Sequence, residues 1–134
     1  MRLLIDTNVV LDLLQEREPF VEDAVRLFEK IDAGEIEGFI AATTITNIYY
    51  IVRKAAGMKV AGEAIAQVLR DLHICAVDRT ILEQALALNF SDFEDALQCA
   101  CGIAYGVDAI VTRDASGFVG AGIPVMSPGE LDLS

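Results

Sequence analysis

The chain alternates short, continuously apolar runs with longer segments in which apolar residues recur every three to four positions. Runs of the first kind are typical of buried β-strands, and segments of the second kind are typical of amphipathic helices. The strand-like runs are RLLID, GFIAA, ICAV, DAIVT and a short run near IPVMS. Because strands alternate with helices, the pattern predicts one α/β domain over residues 1–134, with three layers (α/β/α) and a central, mainly parallel sheet of four to five short strands.

Several predicted helix ends carry residues with capping chemistry. Thr44 is the predicted N-cap of the helix TTITNIYYIVRKAAG, and Gly57 is its predicted C-terminal stop. Asp78 is placed to cap the helix RTILEQALALNF. The segment SDFE matches a capping box at the start of the next helix, with Ser91 as the N-cap and Glu94 reaching back to its backbone N–H.

Asp95 is the acid in this last helix that capping does not explain. Asp92 would be the first helical residue, where the helix dipole favours a negative charge, but Asp95 lies in a segment that is apolar around almost its whole circumference. A carboxylate on a partly buried face costs several kcal/mol unless it is paired or binds a metal. No Lys or Arg stands three or four residues away. We therefore expect a functional role for Asp95.

The composition limits the classes of protein and of site. With 54% hydrophobic and 23% charged residues, the 134 residues suffice for one globular domain with a proper core. No apolar run approaches the ~18 residues of a membrane span, and the N-terminus has no cleavable signal pattern, so we expect a cytoplasmic protein without a membrane segment. The single histidine, His73, and three cysteines that read as small buried hydrophobes supply neither a zinc site nor a catalytic triad.

Two further acids follow predicted strands. Asp6 ends the first strand, and Asp114 comes two residues after DAIVT, so both lie at the carboxyl edge of the predicted sheet, where ligand crevices form. Each has a local alternative, because Asp6 could make an Asx-turn and Asp114 could cap the turn ASGF. Together with Asp95 they predict a cluster of carboxylates. Their repulsion would be relieved by a cation, and oxygen ligands select Mg²⁺ or Mn²⁺.

The formal net charge of −11 has two interpretations. Either the protein avoids polyanions, or its acids are concentrated where a divalent cation binds and meets a phosphate. Arg53, Lys54 and Lys59 form the only basic concentration in the sequence, and we expect them to be solvated residues near a helix end.

At these residues the sequence resembles the PIN-domain family of metal-dependent ribonucleases, over essentially the whole chain. IDTNVVLDLL is similar to the first motif of the family, EDALQCACGIAYG to the helix of its third acid, and IVTRDASGF to its final motif. The resemblance implies a PIN-like fold. It also implies that Asp6, Asp95 and Asp114 are the catalytic, metal-binding residues for Mg²⁺- or Mn²⁺-dependent cleavage of single-stranded RNA, leaving 5′-phosphate and 3′-hydroxyl ends.

The resemblance implies roles for the residues beside these acids. Thr7, Asn8 and Thr112 would orient the carboxylates or bound waters. Arg113 has two interpretations, a contact with substrate phosphate or a salt bridge with a surface acid. Small stand-alone PIN domains, such as this chain would be, resemble the toxins of VapBC-type toxin–antitoxin pairs. That resemblance implies a homodimer and an antitoxin partner.

The sequence departs from the family pattern at one place. Asn47 stands in TTITNIYY where many members carry a Glu, and an amide oxygen can coordinate a metal only weakly and adds no charge. Asp92, one helical turn before Asp95, is a further candidate ligand that would compensate.

Two alternative functions remain open from the sequence. One is a PIN-like module that binds or scaffolds without cleaving, which Asn47 and the negative charge favour. The other is a phosphotransferase on a doubly wound sheet, such as a haloacid dehalogenase-like phosphatase or a response-regulator receiver, which also places an Asp at the end of the first strand. Its expected second Asp is replaced here by Asn8, and no suitably placed Lys follows a later strand.

Overall fold

The computed structural model describes residues 1–131, and its centre is a five-stranded sheet in which every pair of neighbours is parallel. The strands are β1 (Arg2–Ile5), β2 (Glu37–Ala41), β3 (His73–Cys75), β4 (Ala109–Val111) and β5 (Val125–Met126). Their order across the sheet is β3-β2-β1-β4-β5, and Leu3 of β1 pairs with Gly38 on one side and with Ala109 on the other. The predicted α/β class and the strand-like runs are confirmed.

Helices cover both faces of the sheet. They are α1 (Thr7–Leu14), α2 (Val21–Asp32), α3 (Ala42–Ala56), α4 (Met58–Asp71), α5 (Arg79–Ala87) and α6 (Phe93–Ala104), with short 3₁₀ helices at Ala115–Phe118 and Pro128–Glu130. Successive side chains of a strand point to opposite faces. Leu3 and Ile5 therefore pack into the core beneath α1 to α4, while Leu4 packs into a second core beneath α5 and α6. The three predicted layers follow from this alternation.

The predicted ends of α3 and α5 are partly confirmed. Gly57 ends α3 with a φ of 93°, a left-handed conformation that favours glycine, and Asp78 caps α5 by accepting a hydrogen bond from the Ile81 N–H at 3.0 Å. Thr44 as the N-cap of α3 is wrong, because the helix already begins at Ala42. Thr44 lies inside the first turn and is buried, where β2 leads directly into the helix.

The predicted capping box at the start of α6 is also wrong by one residue. Asp92, not Ser91, is the N-cap, and its Oδ1 accepts hydrogen bonds from the backbone N–H groups of Glu94 at 2.9 Å and of Asp95 at 3.2 Å. Asp and Ser cap helices about equally well, so the sequence did not distinguish them. The shift leaves the carboxylate of Glu94 free of any capping role.

The cysteines are buried and unbridged, as predicted. Burial raises the pKa of the Cys75 thiol to about 12 and that of Cys101 to about 11, so both are inert, neutral core residues. Within residues 1–131, no helix combines the length and the apolar character needed to cross a membrane.

Candidate functional site

The strand order places a ligand crevice at the carboxyl ends of β1 and β4. From β1 the chain moves outward to β2 and β3, and it then returns to the other side of β1 to form β4. Where the direction of winding reverses, the connections diverge and leave a crevice beyond the strand ends. Asp6 directly follows β1 and Thr112 directly follows β4, and the Asp6 N–H donates to the carbonyl of Val111 at 2.9 Å. The two strand-end motifs therefore meet, as the sequence predicts.

Asp6 is the most firmly oriented acid of the crevice. Its Oδ1 accepts hydrogen bonds from the Thr7 backbone N–H at 2.7 Å and from Gln98 Nε2 at 2.8 Å, and its Oδ2 accepts from the Thr112 hydroxyl at 2.6 Å. Its side chain is buried, and α1 begins directly after it. Three donors, from α1, from α6 and from the segment after β4, fix the carboxylate before any ligand arrives.

The Thr112 hydroxyl links Asp6 to the last motif. It donates to Asp6 and accepts hydrogen bonds from the Asp114 backbone N–H at 3.0 Å and from Asn8 Nδ2 at 3.5 Å. Asn8 in turn accepts a hydrogen bond from the Arg113 backbone N–H at 3.3 Å. Thr112 and Asn8 therefore tie α1 to the segment after β4, and of the two only Thr112 contacts a carboxylate directly.

Asp114 and Asp92 are near the crevice, but their carboxylates have local partners. Asp114 Oδ1 accepts a 2.5 Å hydrogen bond from the Ser116 hydroxyl, and Asp92 caps α6. Neither lines the cleft that contains Asp6 and Asp95.

Asp95 is the electrostatic centre of the site. Burial, and after it the negative charges of Asp92, Asp6, Glu94 and Asp114, raise the pKa of the Asp95 carboxyl to about 7. Four carboxyl groups are therefore close enough to act on Asp95, and with it they include all three acids predicted from the sequence. Such an excess of negative charge is relieved by protonation or by a cation.

Glu94 and Gln98 are site residues that the sequence analysis missed. Glu94 Oε1 accepts a hydrogen bond from the Thr7 hydroxyl at 3.2 Å, and both Glu94 and Gln98 line the cleft with Asp6 and Asp95. From the sequence, Glu94 is explained by a capping box, and Gln98 is a neutral residue in an apolar helix. The signal was their spacing, because Gln98 lies three residues after Asp95 and four after Glu94, on a shared helical face.

These side chains line a cleft of about 520 Å³, which is within the usual size range of ligand pockets. Its residues come from the position after β1, from α1 and the connection that follows it, and from α3 and α6: Asp6, Thr7, Asn8, Leu11, Arg17, Asn47, Tyr50, Ile51, Glu94, Asp95 and Gln98. Asn47 lines the cleft beside the acids Asp6, Glu94 and Asp95 but carries no charge.

Arg113 has its guanidinium outside this cleft. Arg113 Nε donates to Asp12 Oδ2 at 2.6 Å and Nη2 to Asp12 Oδ1 at 3.1 Å, and the guanidinium carbon lies 3.8 Å from the centroid of the Phe20 ring. Of the two predicted roles, the salt bridge is the one observed, but its partner is a buried acid, with 1% of the side chain exposed, and not a surface one.

The chemistry of the donors fits a hard divalent cation, although the side chains do not form a ready-made coordination sphere. Within residues 1–131, no group of three His, Cys, Asp or Glu side chains is arranged to bind one metal ion. The cleft nevertheless offers only oxygen ligands, carries excess negative charge around Asp95, and contains the buried Gln98 Oε1, which has no hydrogen-bond partner in the described chain. Oxygen ligands of this kind suit Mg²⁺ or Mn²⁺.

Comparison with solved structures gives matches over nearly the whole chain. VapC20 from Mycobacterium tuberculosis, described as a sarcin-ricin loop cleaving toxin, has a TM-score of 0.73 and 19% identity, covering 90% of this chain and 95% of that one. VapBC2 from Rickettsia felis, bound to a promoter DNA fragment, has a TM-score of 0.70 and 14% identity, covering 95% and 98%. A toxin–antitoxin complex from Klebsiella pneumoniae has a TM-score of 0.69 and 23% identity, covering 96% and 98%. These identities establish a shared fold.

Comparison of sequences gives a family. Curated protein sequences yield no significant match. The sequence profile of the PIN domain, in contrast, matches residues 2–116, which include both strand-end motifs and the whole of α6. With the parallel five-stranded fold and the acidic crevice between β1 and β4, this match shows that the chain is a member of the PIN-domain family.

Proposed function

We propose that the protein is a divalent-metal-dependent endoribonuclease that cleaves single-stranded RNA. The observation that carries the proposal is the crowding of carboxylates around Asp95, in a cleft that also contains the firmly oriented Asp6. A PIN-domain sequence supports ribonuclease chemistry, and the RNA-cleaving toxin from M. tuberculosis shares the fold.

The metal would be bound by Asp6 and Asp95, with Asp114 contributing from the segment after β4. Such a cation supplies a water of lowered pKa and polarisation of the phosphodiester. The residues of the chain provide the orientation. Thr7, Gln98 and Thr112 fix the Asp6 carboxylate, so that it does not have to reorganise when a cation or a phosphate arrives.

Glu94 compensates for the missing charge at Asn47. Both residues line the cleft, and Glu94 is oriented by the Thr7 hydroxyl, so it supplies the additional carboxylate that an amide at position 47 cannot. Asp92, the compensating residue expected from the sequence, is instead committed to the N-cap of α6. Glu94 is therefore the better candidate for this role.

The partner proposal follows the structural relatives. The Rickettsia felis and Klebsiella pneumoniae structures are toxin–antitoxin assemblies of the same fold. We assign the protein, on this support, to the toxin side of such a pair, acting as a homodimer and blocked by an antitoxin that covers the acidic cleft. Co-expression with the product of an adjacent gene, followed by size-exclusion chromatography with light scattering, tests both parts.

Cleavage of a labelled single-stranded RNA with Mg²⁺, Mn²⁺ or EDTA tests the central proposal. We expect metal-dependent products with 5′-phosphate and 3′-hydroxyl ends, lost in Asp6→Asn and in Asp95→Asn. Asp32→Asn, an exposed acid at the end of α2, is the matched control and should cleave normally. Metal-independent cleavage, or full activity in both site variants, would contradict the proposal.

A non-cleaving binding module is the second candidate, favoured by the uncharged Asn47 and by the lack of a preformed three-acid metal group within residues 1–131. It predicts a folded protein that binds RNA or a protein partner without any cleavage in either metal.

A further inference from the structure

The cleft has a second, chemically different part beside its carboxylates. Arg17 from the α1–α2 connection and Tyr50 and Ile51 from α3 line the same cleft as Asp6 and Asp95. Arg17 is the only basic residue among the lining side chains, and Tyr50 is the only aromatic one. An acidic centre next to a cation and an exposed ring matches the needs of a nucleic acid strand, which carries both phosphates and flat bases.

Arg17 is held in place by its backbone. Its N–H donates to the Asp12 carbonyl at 3.0 Å, and its own carbonyl accepts from the N–H groups of Phe20 at 2.9 Å and Val21 at 2.7 Å. Its Nε donates to Gln15 Oε1 at 3.0 Å, and within residues 1–131 no carboxylate lies within 4.0 Å of its guanidinium. Arg17 therefore brings an uncompensated positive charge to a cleft that otherwise repels phosphate.

Tyr50 offers a supported aromatic surface. It is 59% exposed although it lines the cleft, and its ring meets that of Tyr49 edge to face, with the ring centroids 5.2 Å apart. Tyr49 is partly buried against the main core and so limits the movement of its neighbour. Asn47, Tyr50 and Ile51 stand at helical spacing on one face of α3, which carries the exposed ring toward the acids.

We propose that Arg17 and Tyr50 form a nucleotide-binding subsite for the strand that enters the acidic centre. Arg17 pairs with a backbone phosphate next to the cleaved one, and Tyr50 stacks on a base, with Ile51 extending its apolar surface. The inference rests on the proposed function, because it names the contacts of the same RNA. It gives binding energy to a protein whose net charge of −11 opposes the approach of RNA.

Binding of fluorescein-labelled single-stranded RNA, measured by anisotropy in Mg²⁺ in the Asp95→Asn background, tests the subsite without cleavage. Tyr50→Ala should raise Kd by about 5- to 150-fold, the usual contribution of one stacked base, whereas Tyr50→Phe should bind normally. Arg17→Ala should lower the slope of log Kd against log salt by about 0.7, the value for one phosphate of a single strand, and Arg17→Lys should restore it. Leu86→Ala and Arg70→Ala, exposed residues of α5 and α4, are the controls.

An abasic oligonucleotide separates stacking from a general structural effect, because Tyr50→Ala should cause no further loss on a strand without bases. Unchanged affinity and salt slope in the Tyr50 and Arg17 variants overturn the inference, as does the absence of RNA binding by the wild-type protein. Binding through both residues by a wild-type protein that never cleaves supports the subsite and contradicts the nuclease proposal. Cleavage whose rate does not change when Arg17 or Tyr50 is replaced supports the nuclease proposal and contradicts the subsite.

Discussion

Arg113 and Asp12 form a two-point ion pair across 101 residues of sequence, with Nε–Oδ2 and Nη2–Oδ1 distances of 2.6 and 3.1 Å. Asp12 is almost fully buried in α1, and Arg113 is the residue between Thr112 and Asp114. The backbone N–H of Arg113 is also bound by Asn8, one helical turn before Asp12. One helix thus fixes both the backbone and the side chain of the segment that carries Asp114.

Removal of one partner of this ion pair should destabilise the fold strongly. In Arg113→Met, the buried Asp12 carboxylate keeps no charged partner, and we expect a loss of about 3 kcal/mol in the free energy of unfolding, measured by urea denaturation. Replacing both residues, as Asp12→Leu with Arg113→Met, should recover most of the loss. Arg26→Met removes the exposed partner of Asp23 and should cost less than about 1 kcal/mol. A similarly small loss in Arg113→Met would show that the buried pair has little energetic weight.

The metal-free protein should lose stability as the pH rises from about 4 to about 7. The folded-state pKa of Asp95 is about 7, above its ordinary value near 3.8, so in this interval the folded state binds more protons than the unfolded state. Asp95→Asn removes the repelling charge and should stabilise the protein at pH 7.5 more than at pH 4.5. Urea denaturation in EDTA at both pH values measures the difference, and an equal effect at the two values would contradict the raised pKa.

Restoring a carboxylate at position 47 should strengthen metal binding. Asn47 lines the acidic cleft without charge, so Asn47→Glu adds an anionic oxygen ligand there, and we expect Mn²⁺ affinity to rise at least about tenfold. In the unaltered protein, Mn²⁺ should bind with higher affinity than Mg²⁺. Isothermal titration calorimetry measures both. Thr46→Glu places the same charge on an exposed neighbour outside the cleft and should leave the affinity unchanged. Equal gains in both variants would indicate a general charge effect.

Gly117 leaves the space that the Asp95 carboxylate occupies. A Cβ at this position would overlap Asp95 Oδ2, so Gly117→Ala should displace the carboxylate and weaken Mn²⁺ affinity and cleavage together, by about tenfold, with little change in circular dichroism. Gly62→Ala, in open space on α4, is the control and should stabilise the protein by up to about 1 kcal/mol without affecting the metal. Normal metal binding in Gly117→Ala would show that Asp95 moves at no cost.

The general form of the site could be predicted from the sequence, because strand ends, unlike side-chain partners, follow from topology. The alternation of strands and helices alone predicts Asp6 and Asp114 at one edge of the sheet. Asp12 carried the same signal as Asp95, a carboxylate inside an apolar helix, and could have been found in the same way. Arg17 had no such signal, since its place in the cleft depends on how the connection after α1 packs.

The pairing of β1 with β4 also determines at which stage of synthesis and folding the site can form. Asp6 and Thr112 are 106 positions apart in the sequence, and the closure of so large a loop is a late and slow step of folding. A nascent chain therefore lacks a complete acidic centre until the segment that follows β4 has left the ribosome. Synthesis itself thus delays assembly of the acidic centre until both strand-end motifs have been made.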